Sequence, residues 1–265
     1  MVIGIDRLLA MNLSDIRNYL FVEESLAPDG LIIALEQDDR KGARHIAVLM
    51  RERISKNRRE AQRLDHLLLY ERELWSKGVC LIAGIDEAGM APLAGPVVAA
   101  AVILPPDYKL PGLNDSKKIS DERKRKTLAL QIKQDAVSWA AGSAEVEEID
   151  KLNIYHAGLL AMRRAVEKLS TKPEYLLVDA RTIPGLSFPQ RGIVQGDALS
   201  ASIAAASIIA KTTRDHMMVE LDRLYPRYEF ARHKGYGTKI HRDRLQQFGP
   251  CPEHRHSFAP VRAAS

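Results

Sequence analysis

Two adjacent carboxylates at the end of an apolar run constrain the fold of this chain most strongly. Residues 80–85 have the composition of a buried strand, and Asp86 and Glu87 follow them without a break. Acidic side chains are rarely buried without a partner, because an unpaired carboxylate loses its hydration. A hard cation such as Mg²⁺ prefers carboxylate oxygens and removes that difficulty. The sequence therefore predicts a metal site at the end of a buried strand.

A second predicted strand also leads into an acid. Residues 174–178 form a short apolar run that ends at Asp179. Asp197 lies just before residues 198–218, which contain neither glycine nor proline and which we predict to be a helix. Asp is both a favoured N-cap residue and a metal ligand. At this point both interpretations of Asp197 stay open.

Asp215, near the far end of the same predicted helix, is a poor candidate for the same metal site. At a rise of about 1.5 Å per residue, it lies roughly 27 Å from Asp197 along the helix axis. The two carboxylates therefore cannot bind one metal cluster. We interpret Asp215, which follows Arg214, as part of a structural ion pair.

Length and composition are those of an ordinary globular protein. The 265 residues, 46% of them hydrophobic, suffice for one substantial domain and a smaller one. The sequence has no run of about 18 apolar residues and no signal-peptide pattern, so we expect a cytoplasmic protein without membrane contact. The two cysteines are Cys80, in a predicted core strand, and Cys251. This usage favours a reducing compartment without disulfides.

The basic charge is concentrated near the C-terminus. The net charge is +5 and the isoelectric point about 9.1. Residues 1–75 hold 12 Lys and Arg against 13 Asp and Glu, whereas residues 226–265 hold 8 against 3 and also four histidines. A basic excess on one part of a chain is typical of a surface that contacts nucleic-acid phosphates.

Residues 1–76 are predicted to form a separate helical unit. Apolar residues recur at helical spacing from residue 12 to residue 75, with a turn at Pro28-Asp29-Gly30. A basic cluster in this unit could contact nucleic acid or form a solvated helix face: Arg51, Arg53, Lys56, Arg58, Arg59 and Arg63. Acidic residues interleave with the cluster, which favours the solvated face.

Residues 77–265 have the pattern of a mixed sheet with helices packed on it. Early consecutive strands give way to alternating helices and strands. We predict strands near residue 81, at 97–104, at 137–142 and near residue 175, and helices at 121–134, 149–169 and 198–218. Beyond Pro226 the chain is rich in Gly, Pro, His and Arg, and we expect short helices and loops there.

Six motifs in this order resemble ribonuclease HII, the type 2 ribonuclease H family. They are GIDEAG (84–89), PLAGPVV (92–98), LNDSKK (113–118), SIAAASI with Ala210-Lys211 (202–211), HKGYGT (233–238) and the tail at 255–261. The resemblance covers residues 80–262. It implies cleavage of the RNA strand of RNA/DNA hybrids and nicking of duplex DNA at embedded ribonucleotides.

The resemblance also implies a fold and an active site. The expected fold is α/β and ribonuclease H-like: a five-stranded mixed sheet flanked by helices, a C-terminal helical and loop segment at about 220–265, and a small N-terminal helical domain. The four family acids fall on Asp86, Glu87, Asp179 and Asp197, which favours the ligand interpretation of Asp197. They would hold two Mg²⁺ or Mn²⁺ ions and yield 5′-phosphate and 3′-hydroxyl ends. The implied partners are RNA/DNA hybrid and ribonucleotide-containing DNA, bound by a monomer.

Further residues match the substrate contacts of the family. Asn114, Ser116 and Lys117 resemble its phosphate-contacting loop, although the same residues would also suit a solvated turn. Tyr236 matches the tyrosine that packs on the sugar at an RNA-to-DNA junction; an unspecific loop aromatic is the alternative.

One motif departs from the family pattern. Gly89-Met90-Ala91 stands where Gly-Arg-Gly is usual, a motif that helps to recognise the 2′-hydroxyl and the junction phosphates. Met90 brings no charge, and Ala91 restricts the backbone. We therefore expect cleavage of long hybrids to survive better than incision at a single embedded ribonucleotide.

Several other interpretations compete with this one. An integrase or a Holliday-junction resolvase would lack the motifs at 202–211 and 233–238. A hybrid-binding protein with impaired catalysis is a second alternative. Cys251, His254 and His256 have poor spacing for structural zinc, so we favour a phosphate-facing or packing role. His233 and His241 could assist proton transfer, but solvated loop histidines are commoner.

Overall fold

The computed structural model describes residues 3–23 and 25–264, and the chain divides into two compact units, Met1–Arg63 and Leu64–Ser265. The predicted domain boundary between residues 76 and 77 stays a prediction. The first unit is helical and consists of α1 (Ile5–Leu9), α2 (Leu13–Phe21), α3 (Leu31–Gln37) and most of α4 (Lys41–Leu67). Its core contains buried residues from each helix, among them Leu8, Leu20, Leu35 and Ala47.

Local signals explain the boundaries of these first helices. The Asn12 side chain accepts a hydrogen bond from the Asp15 backbone N–H and so caps α2. Gly30 adopts a left-handed φ of 84° in the predicted turn before α3. The basic cluster on α4 is exposed or half-buried, and its members include Arg51, which pairs with Glu36 at 2.7 Å. These contacts match the predicted solvated face.

The second unit is built on a five-stranded mixed sheet, as expected. The strands are β1 (Ile82–Ala88), β2 (Val97–Ile103), β3 (Ser138–Ala144), β4 (Tyr175–Asp179) and β5 (Gln190–Ile193), in the order β3-β2-β1-β4-β5. β1 and β2, and β2 and β3, pair antiparallel, whereas β4 is parallel to both β1 and β5. β5 was not predicted, because its four residues alternate poorly and are mostly exposed or half-buried.

Helices cover both faces of this sheet. They are α5 (Leu69–Trp75), α6 (Glu122–Asp135), α7 (Val146–Leu152), α8 (Ile154–Glu167), α9 (Ala201–Leu224), α10 (Phe230–His233), α11 (Lys239–Phe248) and α12 (Ala259–Arg262). α9 approaches β1 closely at Gly84, where an added Cβ would lie 2.0 Å from the Ser202 carbonyl carbon. α8 packs on the opposite face through small residues such as Ala157 and Ala161.

The structure corrects two local predictions. Cys80 is exposed and β1 begins at Ile82, so Cys80 does not lie in a core strand. The helix predicted at 149–169 is two helices, α7 and α8, separated by Asn153 with a φ of 68°. The Asn153 side chain caps α8 by accepting from the backbone N–H groups of the two residues after Ile154.

Within the described ranges, 3–23 and 25–264, we find no helix that combines the length and the apolarity needed to cross a membrane.

Candidate active site

The sheet brings the predicted acids to one end. β1 and β4 are parallel neighbours with Ile85 opposite Val178, so Asp86 and Asp179 leave the sheet at the same edge. Asp197 follows the adjacent β5 and lies in a short 3₁₀ turn, and the Gly196 N–H beside it donates to Asp179 Oδ1 at 2.8 Å. The carboxyl end of a parallel part of a sheet is where α/β proteins commonly place their ligands.

Asp197 is not the N-cap of α9. The Ser200 side chain caps that helix by accepting from the Ile203 N–H. Asp197 is buried, with 5% of its surface exposed, and lies close enough to Asp115 and Asp179 to be influenced by both charges. Its carboxylate therefore belongs to the acidic cluster rather than to the helix terminus.

Asp86 and Glu87 extend to opposite faces of the sheet, because successive side chains on a strand alternate. Asp86 lies on the α9 face with Gly84, where burial raises its pKa and the nearby Ser207 hydroxyl of α9 opposes this rise. Glu87 lies on the α8 face with Ile85, and its Oε1 is 3.5 Å from Arg181 Nη2. The acidic cluster thus borders both faces of the sheet.

Burial makes these acids difficult to ionise. The pKa of Asp86 lies well above its usual value because of burial, and Glu87 and Asp179 add like-charge repulsion. Burial also raises the pKa of Glu87, although the nearby Arg181 opposes this. The pKa of Asp197 is raised by burial and then by Asp115 and Asp179. Groups perturbed by burial and close charges mark functional sites more often than ordinary surfaces.

The loop that carries Asn114, Ser116 and Lys117 lies against the acidic cluster. Lys117 Nζ is 3.7 Å from Asp197 Oδ2, and the lysine side chain is 74% exposed. Burial alone would lower the pKa of Lys117, but the surrounding acids, Asp86 first, raise it. Ser116 Oγ lies 2.9 Å from Ser207 Oγ, which ties the loop to α9. Asn114 Oδ1 accepts from the next backbone N–H at 2.9 Å.

The donor set fits a hard divalent cation. Glu87 Oε2 is buried and has no hydrogen-bond partner among residues 3–23 and 25–264. In the same ranges no three His, Cys, Asp or Glu side chains already surround a common point as metal ligands. Carboxylates are hard oxygen donors that turn by side-chain rotation, and a cation would remove the repulsion that raises their pKa values.

Buried arginines fix the segment that follows the acids. Gly89 has a φ of 101°, and a Cβ there would lie 2.2 Å from Arg214 Nε. Arg255 uses all its N–H groups on backbone oxygens, and its shortest such bond, to the Gly89 carbonyl, is 2.7 Å long. The Met90 carbonyl accepts another at 3.2 Å, while exposed Ala91 is not among its partners.

Arg214 forms a similar set of bonds and is not the partner of Asp215. It donates to the carbonyls of Ala94, Pro96 and Lys234 at 3.1, 2.9 and 3.0 Å. Asp215 instead pairs with Lys211 at 2.5 Å and with Arg125 at 3.5 Å. Asp215 therefore takes part in a structural ion pair as expected, but its partners are Lys211, one helical turn earlier in α9, and Arg125 of α6.

Tyr236 presents its ring beside this segment. The residue is 38% exposed, and the ring centre lies 5.6 Å from Lys211 Nζ and 5.8 Å from Arg214 Cζ. Gly235 has a φ of 81°, and its Cβ position would clash with the Ala94 carbonyl at 2.5 Å. An exposed aromatic ring flanked by cations can stack on a sugar or a base.

Comparison with known families decides the classification of the chain. The family model for ribonuclease HII matches residues 83–261, and the model for the ribonuclease HII N-terminal domain matches residues 12–75. The chain belongs to the ribonuclease HII family. It is therefore an endoribonuclease that acts on RNA/DNA hybrids, and the predicted family assignment is confirmed.

Curated relatives agree over nearly the whole length. Ribonuclease HII of Myxococcus xanthus is 59% identical over 260 residues, which cover 98% of this chain and 89% of the relative. Ribonuclease HII of Desulfitobacterium hafniense is 52% identical over 258 residues, covering 97% and 96%. The family likeness therefore includes the N-terminal helical region.

Solved structures of related enzymes share the fold. Ribonuclease H2 of Pyrococcus horikoshii aligns with a TM-score of 0.59 at 23% identity, covering 69% of this chain and 96% of that one. Ribonuclease HII of Archaeoglobus fulgidus, solved as a complex with PCNA, aligns with a TM-score of 0.53 at 26% identity, covering 63% and 88%. These neighbours confirm the ribonuclease H-like architecture.

His233 and His241 are buried together with His254, contrary to the prediction that the first two are solvated loop residues. His241 Nδ1 donates to the Tyr236 carbonyl at 2.9 Å, and its Nε2 lies 3.0 Å from His254 Nε2. The His233 ring stacks on His241 at 4.3 Å between centroids. Burial lowers the pKa of His241 and of His254 to about 4, so these rings are neutral. They pack beneath Tyr236.

The same cluster explains the residues considered for zinc. His254 Nδ1 accepts from the Cys251 N–H at 3.0 Å, and its other nitrogen faces His241. His256 is exposed, and its backbone N–H donates to Asp150. Because both His254 nitrogens are engaged and His256 lies apart, the arrangement favours the packing role.

Sequence reasoning missed several residues at this site. Asp115 and Ser207 lie close to the acids and belong to two of the six motifs, at 113–118 and 202–211. Their position within those motifs could have indicated a place at the site. Arg181, two residues after Asp179, gave no pattern of its own. Glu71 of α5 is buried, and its Oε1 accepts from the Ser200 and Ser202 hydroxyls at 2.6 and 2.7 Å.

Proposed function

We propose that this endoribonuclease depends on Mg²⁺ or Mn²⁺, cleaves the RNA strand of RNA/DNA hybrids, and also nicks duplex DNA at embedded ribonucleotides. The observation that carries the proposal is the convergence of Asp86, Glu87, Asp179 and Asp197 at one edge of the sheet. A solved ribonuclease HIII that shares this fold was obtained in complex with Mn²⁺.

The carboxylates of Asp86, Glu87, Asp179 and Asp197 would hold the ions. When bound, two divalent cations supply an activated water and stabilise the leaving 3′ oxygen, which gives 5′-phosphate and 3′-hydroxyl products. Burial of the carboxylates excludes bulk water, which strengthens their interaction with cations. The Gly196 N–H orients Asp179 by donating to its Oδ1.

The substrate would lie across the acidic edge of the sheet, between the loop at 114–117 and the segment at 89–91. Lys117 is exposed beside Asp197 and can approach a phosphate while it remains near the acids. Ser116 and Asn114 would position this loop and offer polar contacts to the backbone of the nucleic acid. On the other side, the backbone of Gly89, which Arg255 holds, and the Tyr236 ring would contact the ribonucleotide and its sugar.

The departure at residues 89–91 would affect junctions more than hybrids. A single embedded ribonucleotide offers one 2′-hydroxyl, so its incision depends on every contact that the enzyme makes with that nucleotide. A long hybrid instead offers many positions at which the enzyme can bind and cleave. Met90 adds neither charge nor donor. We therefore expect a high ratio of hybrid cleavage to junction incision, and Met90→Arg should lower that ratio. An unchanged ratio would contradict this explanation.

The N-terminal helical region would add affinity for the hybrid. Its basic cluster is accessible, and the matching family domain spans residues 12–75. Deletion of residues 1–75 should weaken hybrid binding if this role is correct. We also propose that the enzyme acts as a monomer in the cytoplasm.

A paired cleavage assay tests the proposed function. Two end-labelled duplexes, one with a long RNA strand and one with a single ribonucleotide in DNA, would be incubated with Mg²⁺ and with Mn²⁺. We expect cleavage of both, faster on the hybrid, and none by Asp86→Asn. Binding of hybrid without metal-dependent cleavage would instead support a catalytically impaired binding protein.

A further inference from the structure

Arg181 lies beside the acidic cluster in a position that its own contacts do not explain. It follows β4 directly, after Ala180, whose φ of 52° turns the chain and whose N–H donates to the Ile193 carbonyl at 2.8 Å. The turn directs the arginine toward the α8 face of the sheet. There its Nη2 is 3.5 Å from Glu87 Oε1, and its Cζ is 4.9 Å from the Tyr155 ring centre.

The guanidinium has unused hydrogen-bonding capacity. Its Nη1 is buried without a hydrogen-bond partner among residues 3–23 and 25–264, and its contact with Glu87 is long for a hydrogen bond. By contrast, the buried Arg214 and Arg255 each bond to several carbonyls. A buried donor without a partner needs an explanation, and a ligand that supplies an acceptor is one.

The two cations nearest the acids lie on opposite faces of the sheet. Lys117 approaches from the α9 face beside Asp197, and Arg181 approaches from the α8 face beside Glu87. A nucleic-acid strand that presents its scissile phosphate to the acids also carries phosphates before and after it. A guanidinium matches a phosphate better than an ammonium does, because its planar fork donates two parallel hydrogen bonds.

Met90 lies near the unused donor of Arg181. A Cβ built on Gly158 would lie 3.2 Å from both Arg181 Nη1 and Met90 Sδ, so both side chains approach the same point of α8, where the helix lacks a side chain. Methionine has three rotatable bonds and adapts its shape more easily than a branched or aromatic residue. A ligand bound to Nη1 would therefore lie near the Gly89–Ala91 segment, and the Met90 side chain can turn to admit it.

We propose that Arg181 binds a phosphate of the RNA strand adjacent to the scissile bond and thereby supplies the cation that position 90 lacks. This inference rests on the proposed function of the site. Arg181 would exchange Glu87 for the phosphate as its anionic partner, and a bound metal ion would take the place of Arg181 beside Glu87.

Hybrid binding can be measured apart from cleavage. Arg181→Met, Arg181→Lys and Met90→Arg would each be made in an Asp86→Asn background, together with the double change Arg181→Met with Met90→Arg. Fluorescence anisotropy with a labelled RNA/DNA hybrid over a series of salt concentrations then gives the affinity and its salt dependence.

We expect Arg181→Met to weaken hybrid binding about tenfold and to reduce the slope of log affinity against log salt by about one. Arg181→Lys should keep the slope and restore part of the affinity. Met90→Arg should restore both in the Arg181→Met protein and have a smaller effect when Arg181 is present. The same variants in the active enzyme should change KM far more than kcat.

Two results would overturn the inference. One is an Arg181→Met protein, folded by circular dichroism, with unchanged hybrid affinity and salt slope. The other is a change confined to the Mg²⁺ concentration needed for half-maximal cleavage, which would mean that Arg181 acts only through Glu87. If instead the unmodified enzyme cut neither duplex but bound hybrid through Arg181, the proposed catalysis would fail while this inference stood.

Discussion

Two regions of the molecule bury ionisable side chains: the acidic cluster at the edge of the sheet, and the cluster of Arg255, His241 and His254. They differ in how many of the buried polar groups have hydrogen-bond partners. Arg255 directs all of its N–H groups at carbonyl oxygens of residues 89–95, and the neutral histidines bond to one another and to the backbone. Asp86 is buried and Glu87 half-buried beside further acids, and Glu87 Oε2 has no partner in the described residues. Buried polar groups with partners stabilise a fold, whereas those without them favour binding of a ligand.

Among the changes that test this difference between the two regions, Asp86→Asn should have the largest effect on activity. Cleavage should fall by at least about 10³-fold, since the loss of a metal ligand removes several kcal/mol of transition-state stabilisation. The metal-free variant should nevertheless be more stable than the unmodified protein, because a repelled buried charge is gone. Kinetics and thermal unfolding measured in EDTA would check both parts.

The stability gain should depend on pH. Because the folded pKa of Asp86 is raised above the unfolded value, its contribution is fully present below the unfolded pKa and is lost as pH rises through the folded pKa. Asp86→Asn should therefore gain most at alkaline pH. A variant less stable than the unmodified protein at every pH would break the proposed contrast between the two regions.

Arg255→Met tests the satisfied region. It should destabilise the protein by about 3 kcal/mol or more, because several buried carbonyls lose their donors together. Urea unfolding would measure this, with exposed Arg262→Met as the matched control. Equal stability of the two variants would show that the Arg255 bonds contribute little.

Acid should weaken the histidine cluster. The folded pKa of His241 and of His254 is lowered to about 4, against about 6.5 in an unfolded chain. Between these values the unfolded state binds more protons, so stability is complete above pH 6.5 and is lost as pH falls toward 4. Thermal unfolding from pH 7.5 to 4.5 should show this loss, and His254→Gln should reduce it. Exposed His256→Gln should leave the profile unchanged.

Glu71→Gln compares a buried acid that accepts hydrogen bonds with the buried acid Asp86. Glu71 is buried like Asp86, and its Oε2 has no partner among the described residues, but its Oε1 accepts three hydrogen bonds at the start of α9, where a negative charge is favourable. Its replacement should cost about 1–2 kcal/mol, whereas exposed Glu73→Gln should cost at most about 1 kcal/mol. Urea unfolding of both variants checks the order, and a stabilised Glu71→Gln protein would contradict it.

Short-range patterns predicted the architecture well. The apolar runs before Asp86 and Asp179 are strands β1 and β4, and the Ala-rich segment is α9. β5 escaped prediction because a short edge strand has few apolar residues. Asp197 was ambiguous because a capping residue and a ligand look alike in a sequence. The cap at Ser200 excludes the first interpretation, and the role of Asp197 as a ligand stays a proposal.

Sequence by itself determined which acids end the strands and which family the motifs resemble, because strand composition and motif order are local properties of the chain. Only the tertiary structure decided that Arg181 meets Glu87 near Gly158, and that Arg255 holds the Gly89 carbonyl from a distance of 166 residues along the chain. It also decided that the loop histidines are buried. Such contacts join segments that pack together only after the sheet has formed, and no local pattern encodes them.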